Sequence, residues 1–214
     1  MMKQNYFLLL LGFFVIFNVF GQNRLQNMEE KNRFSLGIMY SFDKNVGKSQ
    51  ISTSRYEGYT ADNDQTNYSL GLGAEYLWTE HLSLNLAISY ANRDFTGTYY
   101  CDVCDFITAP SAEGVQLRFV DVPIGLTYYF LPRKMRPFLS GAINNQFTVK
   151  NPEQLNAKSY VLGVQLGGGV QYEFTPFWAL QAQIDYGNTL TRVFENSTSN
   201  LEILSFQLGV FRSF

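Results

Sequence analysis

Beyond residue 32 the apolar positions recur mostly every second residue, the period of a β-strand with two unlike faces, and seldom at the 3.6 spacing of a helix. Eight segments carry this alternation: 33–42, 67–78, 82–93, 116–130, 138–149, 162–174, 178–187 and 204–214. In the first, Phe34, Leu36, Ile38 and Tyr40 share one face and Ser35, Gly37, Met39 and Ser41 the other. In the second, Tyr68, Leu70, Leu72 and Tyr76 oppose Asn67, Ser69, Gly71 and Glu75. Pro123, inside the fourth segment, cannot donate to a β-ladder, so a bulge or a locally broken pairing is expected there. The fifth places Asn145 on its apolar side. Each segment is about as long as a tilted strand needs to cross a hydrocarbon layer, roughly 9–11 residues.

The connections between segments alternate as well. Residues 79–81, 131–137 and 175–177 are short, whereas 43–67, 94–116, 151–161 and 188–203 are longer and polar. Short turns at one end and long loops at the other are the connectivity of an outer-membrane β-barrel. Trp78, Tyr128, Phe130, Phe138, Phe174, Trp178 and Phe214 fall at the short-turn end, and Phe42, Tyr68, Tyr90 and Tyr186 at the loop end. Two aromatic girdles at two heights match two membrane interfaces.

Alternation alone leaves open which face points inward, because a soluble lipocalin-like barrel hides its apolar face inside. Volume separates the two arrangements. One face carries Gly71, Gly73, Ala87, Ser89, Gly125, Gly163, Gly167 and Gly169, too small and too apolar for a good solvent surface. The other is large, continuous and almost uncharged. Turned inward it would overfill an eight-stranded interior, which is just wide enough for packed side chains or one small ligand. The expected fold is therefore all-β: an eight-stranded antiparallel up-and-down transmembrane β-barrel over residues 33–214.

Ahead of it, residues 1–21 have one early cation, Lys3, an apolar stretch from Phe7 to Phe20 and a small Gly21, the build of a secretory signal peptide that is too short to span a bilayer. Residues 22–32 make a short N-terminal segment. Composition agrees with this class. Of 214 residues 46% are hydrophobic, 16% aromatic and 16% charged, which excludes disorder. Sixteen basic against 18 acidic residues, with no Lys/Arg cluster, exclude a nucleic-acid partner.

Several runs of the sequence resemble a known family. The leader end Val19-Phe20-Gly21-Gln22, the run Asp121-Val122-Pro123-Ile124-Gly125-Leu126 before Tyr128-Tyr129-Phe130, the run Gly167-Gly168-Gly169-Val170-Gln171-Tyr172 and Phe214 resemble the small outer-membrane β-barrel domain proteins of Bacteroidetes, the PorT-like group. The resemblance covers the whole mature chain. It implies an eight-stranded barrel similar to OmpX and to the membrane domain of OmpA, in a group whose members mostly have no assigned activity. It also implies that Phe214 is the signal read by the barrel-assembly machinery, with Arg212 where that signal prefers an apolar residue.

Candidate chemistry is sparse. The inward face collects Glu75, Asp121, Glu173 and Asp185 against Arg93, among several Asn and Gln side chains. Buried charges must pair or neutralise, so a hydrogen-bonded polar network closing the lumen is the expected arrangement, with a narrow cation-preferring pore as the alternative. Cys101 and Cys104, in an oxidising compartment, predict a local disulfide pinning a loop. Neighbouring Asp102 and Asp105 oppose a reactive thiolate. With a single histidine, His81, at the other end, no metal site, no cofactor and no enzymatic activity are expected. Tyr56, Tyr59, Phe95, Tyr99, Tyr100 and Phe106 either pack above the rim or offer a protein partner a surface. The expected role is structural, anchoring or interacting, in the lipid of the outer membrane. The alternatives are an accessory subunit of an envelope or secretion machine, an ion channel, and a secreted lipocalin-like carrier.

Overall fold

A computed structural model describes residues 33–46, 48–52, 56–62, 65–101, 103, 112–150, 155, 157–197 and 200–214. The leader reading therefore lies outside the described residues. Among the described residues there are twelve strands: β1 Phe34–Val46, β2 Lys48–Ser52, β3 Glu57–Asp62, β4 Thr66–Leu77, β5 Leu82–Asn92, β6 Phe95–Cys101, β7 Ala112–Val115, β8 Arg118–Tyr129, β9 Met135–Lys150, β10 Tyr160–Glu173, β11 Trp178–Thr189 and β12 Glu202–Ser213. Eight of them close a barrel in the order β1-β12-β11-β10-β9-β8-β5-β4, with β4 returning to β1 and every pair antiparallel. These are the eight expected strands. The seam joins the two ends of the fold, pairing Ser35 with Ser213, and the Phe214 amide donates to the Phe34 carbonyl at 2.8 Å.

The barrel wears its apolar face outside. Ile38, Leu72 and Leu166 are 60–65% exposed, while their sequence neighbours point into the lumen. No aqueous solvent tolerates such a continuous belt, which disposes of the soluble lipocalin arrangement. Two of the short turns share one device. The Thr79 hydroxyl accepts from the His81 and Leu82 amides, and the Thr175 hydroxyl from the Phe177 and Trp178 amides, so each threonine stands in for a backbone acceptor and tightens the reversal.

Pro123 breaks its ladder as expected. Pairing of β5 with β8 runs from Leu82–Tyr128 to Leu86–Ile124 and resumes at Ser89–Asp121, skipping the positions opposite Val122 and Pro123. Nearby, the outward Asn145 is not an unpaired polar group against lipid. Its amide donates to the Val122 carbonyl at 3.2 Å and its oxygen accepts from the Tyr160 hydroxyl at 2.8 Å.

Three expectations need correcting. Residues 43–67 and 94–116 are not plain polar loops: they extend β1 and build a second, four-stranded sheet of order β2-β3-β6-β7. Phe138 does not belong to the outer girdle. It is 2% exposed on the luminal side, packed edge-on to Tyr129 with ring centroids 5.7 Å apart; its parity is that of Ser140 and Ala142. Third, β9 begins at Met135, so Arg136 lies in the strand and not in the turn.

Candidate functional site

The lumen is layered, and the layers follow from strand parity. At the loop end lies an apolar cluster. Ala91, Phe119 and Val161 come from barrel strands, Ile51, Ala61, Phe95 and Val115 from the second sheet, and Val193 and Phe194 from the segment before β12. These residues pack together because the second sheet turns its odd-numbered face down onto the luminal side. The cluster is held by isolated bridges Ile51–Ser197 and Ala157–Phe194 and by the Ser52 amide donating to the Asn196 carbonyl at 3.2 Å.

Beneath it sits Arg93. Its guanidinium donates from Nη1 to Asp43 Oδ2 at 2.5 Å and from Nη2 to Asp121 Oδ2 at 3.2 Å, with all three side chains no more than 5% exposed. Asp43 is on β1 and Asp121 on β8, so one arginine ties together strands separated in the barrel by β4 and β5. Asp43 also accepts from the Ser41 hydroxyl at 2.6 Å. Asp185 is held by the Gln183 amide and leans over Gly167, where a Cβ would collide with its carboxylate. A side chain on Gly167 would therefore displace Asp185.

A separate cluster closes the short-turn end. The Tyr129 hydroxyl donates to Glu75 Oε1 at 2.5 Å. Arg136 Nη2 donates to Gln171 Oε1 at 2.5 Å and lies 3.3 Å from Glu173 Oε1, while its guanidinium carbon stands 4.2 Å from the centre of the Tyr129 ring. Phe138 completes this floor, and Gly169 makes room for it: a Cβ there would come within 2.8 Å of the Phe138 ring. Between cap and floor lie two cavities of about 70 and 90 Å³, which share Met39, Gln165, Asp185 and Gln207 as walls.

The five residues expected to share one luminal network thus fall into two groups. Arg93 and Asp121 belong to the upper, Glu75 and Glu173 to the lower, and Asp185 borders both cavities. Sequence reasoning missed Asp43 and Arg136, which supply the closest partner of Arg93 and the missing second cation. Both have the luminal parity of their own strands, with Ser41 and Phe138 respectively; the signal was to extend the alternation into the connections. Cys101 ends β6, and Cys104 lies outside the described residues, as does Phe106. The loop aromatics divide. Phe95 is in the apolar cluster with Tyr59 against it, the Tyr99 hydroxyl donates to Glu57, and Tyr100 faces the opposite side of the sheet. Phe214 is exposed on the outer face, with the Arg212 guanidinium 5.1 Å from its ring and 5.8 Å from that of Trp178.

An outward apolar belt around a polar lumen is one half of the identification. The other is that the family model described as outer membrane protein beta-barrel domain matches residues 26–214. The chain belongs to that family. This outer-membrane barrel therefore resides in the outer membrane with its belt in lipid, and in such barrels the long connections face outward from the cell. No curated protein sequence matches it. Among solved structures it is similar in fold to the outer membrane protein OprG from Pseudomonas aeruginosa, at 10% identity and a TM-score of 0.60, covering 86% of this chain and 97% of that one. It is similar also to Neisserial surface protein A, at 17% identity and 0.51, covering 85% and 97%. The outer membrane protein AlkL, solved in lipid bilayers, aligns at 12% identity and 0.50, covering 91% and 96%.

Proposed function

We propose that this outer-membrane barrel is a closed anchor, which holds its second β-sheet at the cell surface for interaction and carries out neither conduction nor catalysis. The observation that carries the reading is the layering of the lumen. An apolar cluster at the loop end, a buried Arg93 clamped by two aspartates, and a floor of Tyr129, Phe138 and Arg136 each lie across the path an ion would take. Burying that many side chains inside the ring strengthens a scaffold and obstructs a conduit. The sheet above is fixed to the barrel through Ile51, Ala61, Phe95 and Val115, so it is a rigid platform on which recognition has a defined geometry.

The test is conductance across planar bilayers. Purified protein is expected to insert without discrete current steps, and steps that scale with the inserted amount would overturn the closed reading. The size of the particle extracted from outer membranes in mild detergent separates the two forms of the interaction role: a small particle fits a self-contained anchor, a large co-migrating one a subunit of an envelope machine. Phe214 serves in this reading as the mark recognised by the assembly machinery. Phe214→Ser is expected to lower the amount of heat-modifiable barrel in the outer membrane several-fold, and an unchanged amount would remove that role.

A further inference from the structure

Among the described residues of the barrel strands, a single charged side chain faces outward at the short-turn end. From Leu204 onward the outward positions are Leu204, Phe206, Leu208, Val210, Arg212 and Phe214, all of them exposed. Arg212 thus stands where its strand otherwise presents apolar groups to lipid. Its cross-strand neighbours are Leu36 on β1 and Trp178 on β11, neither of them charged. A charge facing hydrocarbon is costly at mid-membrane and is tolerated at the interface, where headgroups meet it.

Register fixes the depth. Arg212 pairs with Trp178 of the lower aromatic girdle, and Leu204 pairs with Tyr186 of the upper one. At about 3.3 Å per residue and a strand tilt of about 40°, the step from Leu204 to Arg212 climbs roughly 20 Å, close to the ~25 Å height of an outer-membrane apolar band. Arg212 therefore reaches the lower edge of the band, where the headgroups of the periplasmic leaflet begin.

The guanidinium there is placed but not neutralised. Its carbon lies 5.1 Å from the centre of the Phe214 ring and 5.8 Å from that of Trp178, cation–π distances that hold the group against the wall. Among the described residues no carboxylate lies within ion-pair distance of it, and its side-chain N–H groups have no acceptor. What covers this face is lipid, and the anionic group that glycerophospholipids carry at headgroup depth is a phosphate. The planar fork of donors matches two oxygens of such a group. We propose that Arg212, steadied by Trp178 and Phe214, binds the phosphate of a glycerophospholipid in the periplasmic leaflet, which fixes the depth of the closing strand in the membrane.

Trp178 is the reporter for the test. The chain has two tryptophans, so Trp78→Phe leaves Trp178 alone beside Arg212. Full-length protein carrying this change is folded in maltoside micelles, which contain no phosphate. It is titrated with a phospholipid bearing a nitroxide on its headgroup and, in parallel, with an amphiphile of the same chains and nitroxide joined by an uncharged linker. Quenching of Trp178 by the phospholipid is expected to saturate at a half-point at least fivefold below that of the uncharged amphiphile. Arg212→Gln is expected to abolish this difference while the barrel stays heat-modifiable, and Arg212→Lys to keep part of it. Sodium phosphate at the lipid's own concentration and matched ionic strength is expected to leave the quenching in place. Equal half-points for the two amphiphiles before Arg212 is changed overturn the proposal with no need of a folded variant. A difference that survives Arg212→Gln in folded protein overturns it too and gives the phosphate to another cation. Reversal by sodium phosphate would give the site to the free anion and remove the lipid.

Discussion

The barrel and the sheet above it use the same period of two with opposite polarity. In β5, Leu84, Leu86, Ile88 and Tyr90 are exposed on the outside and Asn85, Ala87 and Ser89 face the lumen. After two connecting residues, Arg93 and Asp94, β6 begins and the order inverts: Phe95 is buried beneath the sheet and Thr96 and Thr98 lie on the other face. Side-chain parity runs on unbroken, so it is the surroundings that change. Lipid accepts the apolar face of the barrel, water rejects that of the sheet, and the sheet folds its apolar side onto the barrel mouth. The hydrophobic effect thus builds the cap, while the wall below it is held by hydrogen bonding and by lipid contact.

That contrast can be broken in graded steps. The largest effect belongs to the buried polar layer. Arg93→Ala strands Asp43 and Asp121 without a cation and is expected to cost about 3–5 kcal/mol, read as a lower denaturant midpoint in vesicles. Next is the lipid face, where Leu72→Arg puts a charge into hydrocarbon and is expected to cost about 2–4 kcal/mol in the same assay; an effect below that range would mean that Leu72 does not lie at mid-membrane. Thr98→Arg makes an equivalent insertion on the water face of the sheet, and its expected effect is within about 0.5 kcal/mol. Equal costs for these two substitutions would remove the distinction between the regions.

The smallest effect is a pH dependence confined to the sheet. The hydrogen bond to Glu57 holds the Tyr99 hydroxyl above its ordinary value near 10. A raised value in the folded state means that the stabilisation is complete at neutral pH and is lost only as the pH climbs through the raised value. In a phenolate absorbance difference titration against Tyr99→Phe, the Tyr99 midpoint is expected to fall back when Glu57→Gln is introduced. The barrel's melting temperature at neutral pH should not move.

How much of this was legible in the sequence depended on how unlike the two faces of a strand are. Between lipid and a polar lumen the faces differ sharply, and all eight barrel strands, together with the ladder gap at Pro123, follow from the alternation. In the second sheet the contrast is blurred. Its inner face mixes Glu57, Gly97 and Cys101 with Tyr59 and Phe95, so 57–62 and 95–101 read as polar connections. The same blurring at strand ends hid Asp43 and Arg136, because each lies next to residues of turn-like composition. Parity alone places Glu75, Arg93, Asp121, Glu173 and Asp185 on the lumen. It does not say which of them meet, since that depends on the stagger of strands around a closed ring.

The seam between β1 and β12 bears on the order of events in folding. Phe34 and Phe214 are joined by a backbone hydrogen bond although nearly the whole fold lies between them in sequence. Local hairpins such as β4–β5 or β10–β11 can form as soon as both their strands exist, whereas ring closure must wait until synthesis has reached Phe214. Until then β1 has an open edge able to pair with another chain, and closing a loop of such length is the slow, high-contact-order step. The interval before closure is therefore when this chain most needs a chaperone, and substitutions along the seam should slow assembly more than they weaken the finished barrel.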